Sequence, residues 1–560
     1  MGGHRTNRSP QLRSIAAVAS DLGVLADEFI PYGTAFGKVS LGILDRLQTS
    51  REGRYVLVTA MNPTPLGEGK TTVSIGLVMG LARLRHRAVV TLRQPSIGPV
   101  FGSKGGGTGG GRAQVVPMED INLHFTGDAH GVAAAHNLLS AFVDNHLFHG
   151  NALSIDPETI VWPRTLELSD RALREITVQS RTGTRPGQFV ITEASEVMAV
   201  LALAKDYRDL RTRLGKIVIG FQTSGVPVTA EKIGCAGAMA ALLKDALLPN
   251  LVQTIEGTPA FVHAGPFGNL AHGNCSVLSD LIAIRCADFV VTEAGFGSDL
   301  GAEKFFNIKC RVSGLRPSVA VIVATLRALK LHGGGGEARA GAPLPSGLTG
   351  PNPEALSRGF ANLEQHIANV RQHGVPAVVA VNAFGGDSQA ELDWVCEHAL
   401  AAGAVGAAVS THFADGGKGA EQLAAMVVKA AEQPARLTYL YELTWPIRKK
   451  IEAIATRMYG AGSVSFEPKA ERQLNAAEAL GFGALPVCMA KTPLSLSHDP
   501  ALKGRPTGFR LPVKELRILA GAGFLTAVCS GIQLMPGLPK KPAGEHIDID
   551  PRTGEIVGLS

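Results

Sequence analysis

The stretch Tyr55-Val-Leu-Val-Thr-Ala60, followed almost at once by Thr64-Pro-Leu-Gly-Glu-Gly-Lys-Thr-Thr72, decides the reading of this chain. The first run is short, apolar and rich in β-branched residues, the composition of a strand buried on both faces of a parallel sheet. From Thr72 to about Leu84 the apolar positions recur at helical spacing. Strand, Gly-rich turn, Lys-Thr and helix in that order make a phosphate-loop pattern. Glycines let backbone N–H groups close around phosphate oxygens, and the helix N-terminus adds partial positive charge. Lys70 then reaches the outer phosphates and Thr71 is placed to ligate Mg²⁺. The candidate ATP-binding residues are therefore Thr64, Pro65, Leu66, Gly67, Glu68, Gly69, Lys70, Thr71 and Thr72, with Thr64 standing where the pattern usually has its first glycine. The simpler reading is an ordinary strand-to-helix turn with a surface lysine.

A second apolar strand, Ala88 to Leu92, runs into Arg93-Gln-Pro-Ser-Ile-Gly-Pro99 and then a glycine field, Phe101-Gly-Ser-Lys-Gly-Gly-Gly-Thr-Gly-Gly-Gly-Arg112. Loops after neighbouring parallel strands meet at the carboxyl edge of the sheet, which sends Arg93 to the cleft of Lys70. An arginine fork there suits a planar carboxylate or an acyl phosphate.

These two turns, the glycine field and the following Gln114-Val-Val-Pro-Met-Glu-Asp-Ile-Asn-Leu-His-Phe-Thr-Gly-Asp128 together resemble the formate:tetrahydrofolate ligases, and the likeness runs almost to the last residue. The resemblance implies an α/β fold of three parts. Residues 1–350 form a large P-loop NTPase-like domain with a mostly parallel sheet that holds nucleotide and formyl phosphate. Residues 351–460 form a second α/β domain supplying aromatics for folate, and residues 461–560 a third that closes the cleft. The implied substrates are ATP with Mg²⁺, formate and tetrahydrofolate, with a monovalent cation as a further candidate activator and a homotetramer as the expected assembly.

Composition fits such a protein. A hydrophobic fraction of 45% with 18% charged residues is globular, and 560 residues suffice for several cores. The net charge of +6 is spread out, with no basic run interleaved with aromatics, so small anions are favoured over nucleic acid. Seven scattered cysteines without a Cys-x-x-Cys pair read as thiols of a reducing, cytoplasmic compartment. No apolar run reaches membrane-spanning length.

Further along, Glu119, Asp120, His124 and Asp128 form a polar cluster expected near the phosphate loop, with capping and turn roles as the alternative. His263 and His272 lie on Gly-rich sequence, and hydrogen-bonding or phosphate-facing roles outrank metal ligation there. The strand Asp288-Phe-Val-Val-Thr-Glu293 ends in a carboxylate and a Gly-rich turn carrying Ser298, which is where ligands collect in open α/β sheets. The candidate formyl-phosphate cleft thus comprises Arg93, Gln94, Lys104, Gly105, Gly106, His124, Asp128, Glu293 and Ser298, with Lys70 and Arg93 as the catalytic pair.

Two later strands end alike. Ala377-Val-Val-Ala-Val381 runs into Phe384 and Val405-Gly-Ala-Ala-Val409 into Phe413, a pair of rings able to grip a flat heterocycle. The resemblance makes them the folate-stacking residues, although the second is usually Trp in that family. Gln94, Arg112 and His136 also depart from its common residues Glu, Tyr and Asn. Two rivals therefore stay open: a nucleotide- or folate-binding paralogue of impaired turnover, and an ATP-dependent kinase or ligase of another small carboxylate.

Overall fold

The computed structural model describes residues 12–102, 106–180, 183–339, 343–529 and 531–559. Its centre is β1 (Arg54–Ala60), which leads through the Gly-rich turn into helix α1 (Lys70–Arg83) and then strand β2 (Ala88–Leu92). The later strands are β3 (Pro259–Val262), β4 (Phe289–Glu293), β5 (Val319–Ala324), β6 (Ala377–Asn382) and β7 (Gly406–Ser410). These seven lie in the order β3-β2-β4-β1-β5-β6-β7, and every neighbouring pair is parallel. Residues 377–410 thus continue the same sheet, while the strands between residues 463 and 528 form two small sheets of their own.

The sheet is mixed as a whole, with twelve strands. Beyond β3 it turns antiparallel through Asn250–Thr254, Phe36–Val39 and Phe29–Tyr32. Lys38, on that extension, is buried and donates to Asp128, Asn250 and the Leu248 carbonyl at 2.8–3.0 Å.

Alternation along β1 explains why it is buried on both sides. Val56, Val58 and Ala60 enter one core with Val73 and Leu77 of α1 and with Leu423 and Val427 of helix α3 (Glu421–Ala431). Tyr55 and Leu57 enter the opposite core with Leu363, Ile367 and Val370 of helix α2 (Pro353–Arg371). Each such aliphatic side chain contributes about 1.5–3 kcal/mol by leaving water. Helix α2 starts where it does because Asn352 accepts from the Ala355 N–H and Pro353 fills the first turn.

A separate core is built from Leu440, Ile447, Ile451, Met458, Leu511 and Leu525 among others. Sequence spacing suggests a helix from Tyr439 to Arg457, but helix α4 runs Ile447–Tyr459. Pro446 precedes it in extended backbone, because a residue before the first turn needs no intrahelical N–H bond, and Gly460 ends it at φ +79°. This C-terminal block is joined to the main sheet by a buried pair, Lys491 to Asp299 at 2.6 Å. Asn62, just past β1, donates to Asp299 and to the Pro493 carbonyl, and accepts from Asn362 of α2. Among the described residues no helix is long and apolar enough to cross a membrane.

Burial leaves an unusual set of titratable groups. It lowers His136, His263, His366, His373 and His412 to about 4 and His332 to about 3. It raises Glu193 to about 7 and Glu196 and Glu303 to about 8. An unfolded imidazole takes its proton near 6.5, so the histidines cost stability as pH falls from there toward 4. The carboxyls act in reverse: their contribution is full below 4.5 and lost as pH rises through 7–8. With six imidazoles against three carboxyls, the thermal midpoint is expected to fall as pH is lowered from 6.5 toward 5, and to decline again above 7. A midpoint that climbs steadily from pH 7 to pH 5 would contradict these assignments.

Candidate functional site

The common direction of the seven strands brings their exits to one edge. The turn after β1 is held in shape by its own side chains. Gly67 and Gly69 take φ +81° and +73°, and Glu68 folds inward, fully buried. The Glu68 carboxylate accepts from the Thr64 N–H at 2.6 Å and from the Thr325 hydroxyl, and the Arg327 guanidinium lies 3.7 Å away. The turn is thereby pinned in shape, with the N–H groups of Thr64, Leu66 and Gly67 taken up inside it by Glu68, the Thr64 hydroxyl and the Thr64 carbonyl.

Lys70 and Thr71 begin α1. Thr71 donates its hydroxyl to Glu293 at the end of β4, 2.7 Å away. On the other oxygen of that carboxylate, Arg93 from the end of β2 approaches to 3.9 Å, and a second guanidinium nitrogen donates to the Pro266 carbonyl. Burial lowers the Lys70 pKa, while the Glu293 charge pulls it back up and the Arg93 charge lowers it further. Two cations and one carboxylate from three adjacent strand ends leave this part of the rim net positive, suited to a phosphate or a small carboxylate. Thr71 and Glu293 also offer hard oxygen donors side by side, the kind Mg²⁺ takes when phosphate and water complete its shell.

The folate candidates lie two strands away, at the ends of β6 and β7, which pair through Asn382 and Ser410. Phe384 and Phe413 are 37% and 54% exposed, so both rings are open to a ligand. Both are tied back to the Gly-rich turn after β1. Asn382 donates its amide to the Glu68 carbonyl at 3.0 Å, and Arg327 stacks on Phe384 with 3.9 Å to the ring centroid. His412 is buried beside Phe413, 3.1 Å from the Thr72 hydroxyl. That hydroxyl already donates to the Gly69 carbonyl, so it accepts here from the His412 N–H. The carbonyl of Phe413 accepts from the Arg112 N–H, which lays the end of the glycine field against the second ring.

A family model described as formate–tetrahydrofolate ligase matches residues 4–560. The chain belongs to the formate–tetrahydrofolate ligase family. It is 54% identical to the ligase of that name from Saccharopolyspora erythraea over 99% of this chain and 98% of the relative. The corresponding protein of Roseiflexus sp. strain RS-1 is 53% identical, with 99% of both chains covered. That of Desulforamulus reducens is 52% identical over 97% of each.

Not every residue singled out for the ligase cleft has a free side chain. Both oxygens of Asp128 are engaged by Lys38 and Asn250, which makes it a strut for the antiparallel extension. Ser298 bonds the His366 ring at 2.7 Å inside the core. His124 is exposed, and Gln94 is buried with its N–H on the Ala264 carbonyl. Gly106 packs so closely on Asn122 that a Cβ would lie 2.2 Å from the amide nitrogen. Lys104 and Gly105 lie outside the described residues. His263 has both ring nitrogens bonded, to Ser276 and the Ala246 carbonyl, which is the hydrogen-bonding reading of that residue. His136 is likewise occupied, by Ser195 and the Pro163 carbonyl. His272 is buried, with neither ring nitrogen bonded among the described residues. Burial first, then Lys309, Arg93 and other cations, keep it neutral.

Arg327, His412 and Asn382 as a spacer were not anticipated from sequence. Their contacts reach across 260 to 340 residues of chain, where no local pattern signals them.

The two left-handed glycines of the turn separate two costs. Around Gly67 a Cβ meets open space, whereas at Gly69 it would lie 2.5 Å from the Asn382 amide. Gly67→Ala should therefore cost only the backbone penalty of about 1–2 kcal/mol. Gly69→Ala should lower the thermal midpoint further and raise the KM for ATP several-fold more. Equal effects would mean that Asn382 does not brace the turn.

Proposed function

We propose that this chain joins formate to tetrahydrofolate at the expense of ATP, giving 10-formyltetrahydrofolate, ADP and phosphate through formyl phosphate. The observation that carries the reading is the meeting of Lys70, Thr71, Arg93 and Glu293 at three adjacent strand ends, in a member of this ligase family. The turn from Thr64 to Thr72 holds the triphosphate, with Thr71 and Glu293 as the residues that would share Mg²⁺. That ion would supply charge neutralisation between the outer phosphates.

Formate attacks the terminal phosphorus in line while Lys70 and the turn's N–H groups balance the charge on the transferring group. Arg93 orients the carboxylate and then holds the formyl phosphate. ADP loosens, and the tetrahydrofolate amine attacks the formyl carbon, with phosphate leaving toward Arg93. Phe384 and Phe413 stack on the pterin and keep water from the mixed anhydride. Phe413 stacks without the indole N–H that Trp would add. Gly106, Gln94 and His124 shape the outer wall of the formyl-phosphate cleft, and residues 461–560 close it. A homotetramer in the cytoplasm, and stimulation by a monovalent cation, complete the proposal.

The purified protein, assayed for ADP release with ATP, formate and tetrahydrofolate each omitted in turn, is expected to need both formate and folate for steady turnover. Lys70→Ala should lower the rate at least about 100-fold. ADP release indifferent to folate would instead indicate a carboxylate kinase, and no release under any condition a non-catalytic paralogue.

A further inference from the structure

Arg327 occupies the second position of the short helix Leu326–His332 that follows β5, between the nucleotide turn and the first aromatic residue. Its guanidinium makes contacts of two kinds. Along its edge, one nitrogen donates to the Gly67 carbonyl at 2.7 Å and another lies 3.7 Å from the buried Glu68 carboxylate. With its face it stacks on Phe384, 3.9 Å from the ring centroid. The side chain is 19% exposed, with its bond to Gly67 at the open surface of the turn and its approach to Glu68 on the buried side. Only a planar, delocalised cation can bond in its own plane and stack across it at once.

We propose that Arg327 is a positioning residue that sets the plane of Phe384 from the nucleotide turn, and so helps determine how well the folate ring is held. The inference rests on the proposed stacking of folate on Phe384. The Glu68 carboxylate fixes the turn, the turn fixes the guanidinium, and the guanidinium backs one face of the benzyl ring. Any shift of Gly67 on nucleotide binding or release is passed to the surface on which the pterin rests.

Two variants separate this role from simple packing. Arg327→Lys keeps a cation within reach of the Gly67 carbonyl and Glu68 but removes the flat face. It is expected to raise the KM for tetrahydrofolate roughly fivefold or more, while the KM for ATP stays within about twofold. Arg327→Leu loses both contacts and should raise both constants, and Phe384→Ala should raise only that for folate. Thermal midpoints of the variants check folding, and the lysine form carries the test should the leucine form prove unstable. An unchanged folate KM in Arg327→Lys, alongside a raised one in Phe384→Ala, overturns the positioning role and leaves the stacking site intact. Equal rises for ATP and folate in Arg327→Lys also overturn it, as a general loss of packing. If Phe384→Ala itself leaves the folate KM unmoved, the stacking site fails and the role of Arg327 fails with it.

Discussion

The parallel pairing of β1 with β4 on one side and β5 on the other is the constraint on which everything else depends. Because all seven central strands run the same way, every chain exit with chemistry faces one rim. β1 delivers Lys70 and Thr71, β2 delivers Arg93, β4 delivers Glu293, and β5 delivers Arg327. β6 and β7 deliver Asn382 with Phe384 and His412 with Phe413. Reversing any one of these strands would send its side chains to the opposite edge, roughly 13–23 Å away at about 3.3 Å per residue. The hydrophobic alternation that keeps β1 buried on both faces is thus also what assembles the site.

Within that rim the Gly-rich turn after β1 acts as a hub. Glu68 is the only carboxylate in the turn, and it is buried, bonded to Thr64 and Thr325 and faced by Arg327. A buried charge persists only when so compensated. Asn382, Arg327 and His412 then fasten both aromatic ends to the same turn. The proposed reaction requires this closeness, since an acyl phosphate must meet its amine before water does. Lys491 and Asp299, with Asn62 beside them, connect the C-terminal block to the residues just ahead of the turn.

Much of this was legible in the residues themselves, for identifiable reasons. Tyr55 to Thr72 combine an unbroken buried run, left-handed glycines and a helix start within a short length of chain, so local physics determines them. The strand ends alone sent Arg93 to the cleft of Lys70 and paired Phe384 with Phe413 around a flat heterocycle, and the resemblance to the ligases named formate and folate as what they would hold. What was not legible depends on distant contacts. Asp128 stands among polar neighbours in sequence, yet its partner Lys38 lies 90 residues earlier. Ser298 reads as a cap or a cleft residue until His366 is brought onto it by α2. Arg327 looks like any helix-surface arginine until β5 and β6 lie side by side.

The most direct test is a crystal structure of the protein with ADP and tetrahydrofolate, soaked separately and together. The account predicts the nucleotide phosphates within hydrogen-bond reach of Lys70 and the turn's N–H groups. It predicts the pterin between Phe384 and Phe413, opening onto the same cleft as Arg93. Nucleotide and pterin bound on separate surfaces, with Arg93 facing neither, would contradict it.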